Sequence, residues 1–212
     1  TLFLFSLPVQ AGHAYAQFGD IKYPPGFKHF SYVNPVAPKG GHIDMVSPSR
    51  ASSFDKYNPF TLKGTAPPAL SSLMIETLLV GNFDEPTTAY GLIAEDVTVA
   101  ADKLSVSFKI NPLARFHNGD PVLAADVKYS FDRLTSKQAA PQFRTYFNEV
   151  KSIAVINDRE VRFDFKRANA ELPLIVGGMP VFSQKWGADK PLDQVITCLL
   201  YTSDAADDLT RV

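Results

Sequence analysis

From residue 104 to 110 the chain alternates strictly, with Leu104, Val106, Phe108 and Ile110 apolar and Ser105, Ser107 and Lys109 polar. A period of two places one side-chain set on a single face of a strand. Residues 92–99 form a second strand-like run, joined to the first through Ala101-Asp102-Lys103, so the pattern predicts a hairpin with one buried face. It recurs downstream: 150–156 and 160–165 flank Asn157-Asp158-Arg159, with Val161, Phe163 and Phe165 as the inward set. Helical spacing appears at 124–134, where Val127, Phe131 and Leu134 share a face, and at 67–79, where Leu70, Leu73, Met74, Thr77 and Leu78 do. A short helix is predicted from Ala170 to Gly177-Gly178, and His42 to Val46 alternates like a short strand. Residues 17–41, rich in proline, glycine and aromatics, keep neither period and predict an extended segment pinned by Phe27, Phe30 and Tyr32. Without regular beta-alpha-beta spacing, the elements define a mixed α/β domain built on antiparallel hairpins.

Both ends depart from this pattern. Residues 2–9 are an apolar run followed by small residues and Ala14-Tyr15-Ala16, which resembles the back half of a secretory signal peptide cleaved before Gln17. No charge occurs before Asp20, and the alternative reading of the stretch is a buried first strand. Cys198 to Asp208 back-translates, in frame, to a transposase sequencing adapter, so 198–212 is expected not to be native sequence. The expected organisation is a signal remnant at 1–16, the N-terminal part of a larger domain at 17–197, and the adapter at 198–212.

Composition narrows the classes further. Lys and Arg number 21 and Asp and Glu 22, a net charge of -1; without Asp204, Asp207, Asp208 and Arg211 the balance becomes 20 to 19, or +1. Neither value suits a phosphate-binding surface, and no apolar run reaches bilayer-spanning length. The single cysteine, Cys198, excludes a disulfide framework and a multi-thiolate zinc site within the chain. A lipoprotein would need a cysteine at the cleavage site, and none stands there, so the expected product is soluble and periplasmic, without direct membrane insertion.

Catalytic chemistry finds no motif. His29, His42 and His117 are scattered, and neither an H-E-x-x-H pair, a G-x-S-x-G elbow nor a phosphate loop occurs. His117, Asp120 and Asp126 could be drawn together as metal ligands, but a turn entering a helix N-terminus accounts for them with Asp126 complementing the helix dipole. The carboxylate pairs Asp84-Glu85 and Glu95-Asp96 adjoin turns, where capping is the ordinary role. No cofactor or metal is expected.

Three stretches together are more specific. They are Phe27 to Pro35 running on through Ala37-Pro38-Lys39-Gly40-Gly41; Asp84-Glu85-Pro86 with Tyr90 to Glu95; and Ala114 to Val122 leading into Ala124 to Phe131. These resemble family 5 of the extracellular solute-binding proteins, the receptors of peptide and nickel ABC importers, and within it the microcin C and oligopeptide subfamily; Asn169 to Gly177 is similar too. The helix that in the family opens with a threonine cap and a first-turn glutamate has Leu123 and Ala125 here, a loss of about 1 kcal/mol of local helix stability.

The resemblance implies a type II periplasmic-binding-protein-like fold, of which this chain supplies a partial first lobe with an inserted smaller mixed α/β subdomain. It further implies a monomeric receptor, not an enzyme, whose two lobes close by a hinge on an oligopeptide or peptide-like ligand and deliver it to an inner-membrane ABC permease, with no nucleic-acid partner. The acidic partner of a peptide's amino terminus comes, in relatives, from the lobe this chain lacks. Within the chain the expected ligand contacts lie on the loop after the first strand: Ser53, Phe54, Tyr57 and Asn58. A loop packed on its own lobe through Phe54 and Tyr57 is the competing expectation. The functional alternatives are an envelope enzyme, or a sensory receptor, whose working residues lie beyond Thr197.

Overall fold

The computed structural model describes residues 10–42, 44, 56, 58–66, 70–187 and 200–202. Among them a five-stranded antiparallel sheet runs in the order β1-β5-β6-β9-β8, from β1 (Gln10–Gly12), β5 (Ala94–Val99), β6 (Ser105–Ile110), β8 (Val150–Asn157) and β9 (Glu160–Phe165). A three-stranded sheet has the order β2-β4-β3, from β2 (Ala14–Ala16), β3 (Leu79–Gly81) and β4 (Thr88–Gly91), and β7 (Ala114–Phe116) pairs with β10 (Leu200–Thr202). The helices are α1 (Leu70–Leu73), α2 (Ala124–Leu134), α3 (Pro141–Tyr146), α4 (Leu172–Gly177) and α5 (Gln184–Gly187).

Both hairpins read from the alternating pattern are present. Val106, Phe108, Ile110, Val161 and Phe163 lose all exposure in one core cluster with Val127 and Leu134 of α2, and Phe108 meets Phe163 edge-on at 5.8 Å. Rings in this geometry add about 1 kcal/mol beyond the area they bury. Leu104, expected on the same face, is 40% exposed because it belongs to the turn, where its N–H is held by Asp102 Oδ1 at 2.9 Å. Of the helix expected over 67–79, the described residues form Leu70–Leu73, none of it buried. Leu78 and Leu79 instead enter the core as β3 begins, since the sheet offers β4 as a partner in antiparallel register.

The boundary expected after Ala16 does not coincide with an edge of the fold. Ala14–Ala16 form a buried strand against β4, with Tyr15 only 3% exposed and its hydroxyl donating to the Ala170 carbonyl at 2.7 Å. At the end of β4, Gly91 N–H bonds the His13 carbonyl at 2.8 Å, and a Cβ on Gly91 would lie 2.3 Å from the Ala94 carbonyl oxygen. Only glycine lets the backbones approach so closely.

The extended segment after β2 is fastened by its own small core of Tyr23, Phe30, Tyr90 and Ala14, with Phe27 packed on it. Tyr32 is a weaker pin than expected: 40% exposed, it stacks on Phe30. Tyr23 takes the stronger role. Its hydroxyl donates to Asp84, which also accepts from Lys22 Nζ at 2.8 Å and Ser31 Oγ at 2.9 Å. Glu85 accepts from the Tyr90 hydroxyl at 2.5 Å and from Lys22 N–H at 2.9 Å. The Asp84-Glu85 pair is thus a clasp between the 82–87 turn and the opening segment. The Lys22 ammonium, with the Tyr23 and Ser31 hydroxyls, holds the Asp84 carboxyl down to about 2. Burial pushes the Tyr90 hydroxyl well up, and Glu85 beside it adds to the shift.

Candidate functional site

Of the four expected ligand contacts, Ser53, Phe54 and Tyr57 lie outside the described residues, as does most of the strand expected at 42–46. Asn58 is 3% exposed. Its Oδ1 accepts from Phe60 N–H at 2.8 Å, the local turn that asparagine makes readily and that leads the chain through Pro59. Phe60 then enters the core between Phe182 and Phe143, with ring centroids at 5.1 and 5.6 Å. Its carbonyl accepts from Ala140 N–H at 2.9 Å, and Thr61 bridges to Ala139. The downstream end of the loop is therefore fixed to the residues that open α3. Phe60 was legible only as one more aromatic near a turn, and its anchoring role comes from tertiary pairing.

α3 forms one wall of a groove of about 570 Å³. Pro141 starts the helix, where its missing N–H costs nothing. Phe143 and Phe147 then turn inward, and Gln142, Thr145 and Tyr146, at helical spacing, line the groove. Arg167 and Asn169, which follow β9, and Glu171, Leu172 and Ile175 of the α4 region form the other wall and floor. Arg167 Nε and Glu149 Oε2 pair across it at 2.9 Å. Asn169 Oδ1 accepts from Glu171 N–H at 2.9 Å and sets the turn into α4. These polar residues come from three elements and form no linear motif.

The residues at 117–126 form a turn and the start of α2. Gly119 has φ +85°, the left-handed turn that favours glycine, and His117 is exposed. Asp126, 6% exposed, accepts from Leu123 N–H at 2.8 Å and from Gln184 N–H at 2.7 Å. The first of these is half of a capping box, so α2 recovers part of the stabilisation that a side-chain cap at Leu123 would give. Ser130 Oγ, one turn on, accepts from Phe182 N–H at 2.7 Å, and Lys185 pairs with Asp120 at 3.0 Å. Together they sew 182–185 to α2 and so hold Phe182 against Phe60. Burial raises the Asp126 carboxyl above its ordinary value despite the two N–H donors. Among the described residues no cluster of three or more His, Cys, Asp or Glu could hold a metal ion, and no helix is long and apolar enough to cross a membrane.

The chain has counterparts among known proteins. The model of the bacterial extracellular solute-binding proteins, family 5 Middle, matches residues 88–202, more than half of the chain. The chain belongs to that family. It is 37% identical to the "Probable peptide-binding protein YejA" of Agrobacterium fabrum, over 79% of this chain and 26% of that protein. It is 36% identical to the "Peptidoglycan-binding protein YepA" of the same organism, over 84% of this chain and 29% of that protein. Among solved structures, NikA from Brucella suis in complex with Fe(III)-EDTA superposes with a TM-score of 0.54 at 21% identity, over 64% of this chain and 28% of that one. That likeness shows the fold, which is type II periplasmic-binding-protein-like. The chain spans about a quarter to a third of the length of the curated relatives it matches.

Proposed function

We propose that the chain is the N-terminal part of the periplasmic substrate-binding component of an ABC importer for oligopeptides or peptide-like compounds. The observation that carries this reading is the 37% identity, over 79% of the chain, to a relative named for peptide binding. The relative named for peptidoglycan binding supports the wider class of peptide-like ligands. The geometry is compatible. Asn58 to Thr61, just downstream in sequence of Ser53, Phe54 and Tyr57, are anchored to the residues that open α3, one wall of the polar groove. A ligand lying along the loop would meet pockets that tolerate varied side chains, while main-chain groups supply the shared recognition.

Ligand capture here is hinge closure of two lobes, favoured because the closed form holds ligand better than the open one. The work is binding and release to an inner-membrane permease, which requires no catalytic group. The receptor acts as a monomer, with residues 198–212 no part of it. The test is titration calorimetry on the gene product extended to the length of its relatives, with mixed tri- to hexapeptides. Micromolar binding supports the reading, whereas hydrolysis of the peptides, or no binding by any of them, overturns it.

A further inference from the structure

The whole-chain charge of -1 conceals a local excess. Residues 133–167 carry eight Lys and Arg against four Asp and Glu, a net of +4. Where the acids stand decides what that excess can do. Asp164 pairs with Arg162 and Glu149 with Arg167, each at 2.9 Å, while Asp158 and Glu160 belong to the far end of the β8–β9 hairpin. Cations therefore dominate the near end, where α3 runs into β8 and the chain leaves β9, although Glu171 on the α4 side of the groove subtracts one charge.

Four of these cations form a ridge. Arg144 Nη1 donates to the Ser136 carbonyl at 3.1 Å, which brings Arg144 of α3 beside Lys137. Asn148 follows at the end of α3, with its N–H on the Thr145 carbonyl at 3.4 Å, and its own carbonyl accepts from Lys166 Nζ. Lys151 and Lys166 lie one position to either side of the Val150–Phe165 pair in the β8–β9 ladder. All four side chains are exposed. Among the described residues no carboxylate pairs with any of them: Arg144 and Lys166 are held by backbone carbonyls, and Lys137 and Lys151 make no side-chain hydrogen bond. A carbonyl fixes a cation in place without neutralising it, and an ammonium so held keeps two donors for another acceptor.

The cations are spread along α3, β8 and the segments that flank them rather than gathered round a cavity. That spacing suits many separate negative groups better than one small anion. Between Arg144 and Asn148 stands Tyr146, 62% exposed, with an apolar ring and a polar tip, the residue type that settles at the headgroup level of a bilayer. An anionic lipid layer offers both partners, phosphate for the cations and the headgroup boundary for the ring. We propose that the ridge of Lys137, Arg144, Lys151 and Lys166, with Tyr146 among them, rests on the anionic headgroups of a phospholipid bilayer without inserting into it. Which bilayer is met follows from the receptor reading, the inner membrane that holds the permease, whereas the ridge itself lies wholly within described residues. Each Lys or Arg held at such a surface strengthens binding about fivefold, and the gain is screened by salt.

The test is co-sedimentation of the full chain with vesicles of phosphatidylcholine alone and of phosphatidylcholine and phosphatidylglycerol in equal parts. Binding to the mixed vesicles only is expected, weakening as salt is raised. Lys137→Gln and Lys151→Gln should each weaken it about fivefold, and the pair together about 25-fold. Lys109→Gln removes a cation already paired with Glu95 at 2.7 Å and should change it less than twofold. Lys137 and Lys151 are exposed and unpartnered, so thermal midpoints should not move.

Equal binding to both vesicles, binding to neither, or a loss that Lys109→Gln shares equally overturns the ridge as a lipid contact. If soluble polyglutamate binds through Lys137 and Lys151 and the mixed vesicles do not, the partner is an acidic polypeptide and the lipid proposal falls. If vesicles bind and no peptide binds to the extended gene product, the receptor reading falls and the ridge stands; if peptides bind and vesicles do not, the reverse holds.

Discussion

The Tyr15 hydroxyl donates to the Ala170 carbonyl at 2.7 Å, joining residues 155 positions apart and tying β2 to the turn that opens α4 and one wall of the groove. In this structure Ala14–Ala16 are therefore packed on the residues that follow them. Tyr15→Phe should cost about 1 kcal/mol by removing a single hydrogen bond, and Tyr15→Ala about 3 to 5 kcal/mol by emptying a buried aromatic site. Denaturant midpoints check both values. A neutral Tyr15→Ala would mean that β2 is not part of the folded chain.

Asp126 joins α2 to the 182–185 segment by accepting two backbone N–H groups, from Leu123 and Gln184. Asp126→Ala leaves two part-buried donors without their acceptor and should cost about 1 to 2 kcal/mol. Asp126→Asn, which can still accept from one of them, should cost less. Burial raises the folded pKa of this carboxyl above its unfolded value. Its contribution is therefore fully present below the ordinary carboxylate pKa and falls away as pH rises through the raised folded value. A stability-against-pH curve of the Asn variant should lack that decline.

Much of this was legible in the chain and some was not, for identifiable reasons. The hairpins at 94–110 and 150–165 and the helix at 124–134 follow from period alone, because Val106, Phe108, Val127 and Phe163 repeat at the spacing of their element. The 67–79 helix was overread: Leu78 fits a helical face, but pairing with β4 is non-local and leaves no mark on a short window. The Pro141–Tyr146 helix was missed because its inward face is a single i, i+4 pair, Phe143 and Phe147. The site divides similarly. The loop at 53–58 could be named from its position after a strand, and its downstream anchor at Asn58 and Phe60 was half legible as turn chemistry. The groove was not, because its lining from Gln142 to Ile175 is assembled only when α3 and α4 are brought together.

The Asp84 clasp predicts a pH dependence of the opposite sign. The folded pKa, about 2, lies below the ordinary 3.8, so the clasp stabilises above the ordinary value and is lost as pH falls from about 4 toward 2. Asp84→Asn should flatten the acid limb of the stability curve in that window. It should also increase amide exchange across 22–33, the segment the clasp holds.

Residues 198–212 supply a further check. The family match runs to residue 202, and Leu200–Thr202 pair with Ala114–Phe116. If the stretch is translated adapter, trimming it removes no selected contact, and the thermal midpoint should stay where it is. A fall of several degrees, equivalent to about 1 kcal/mol or more for a domain of this size, would make β10 a native strand.

The central claim, that this chain is part of a two-lobed receptor for peptide-like ligands, is tested most directly by titrating one peptide mixture into two proteins: residues 10–197, and the gene product extended to the length of its relatives. The account predicts micromolar binding by the extended product and none by the shorter protein, which holds only one side of the cleft. Micromolar binding by the shorter protein, or no binding by the extended one, would contradict it.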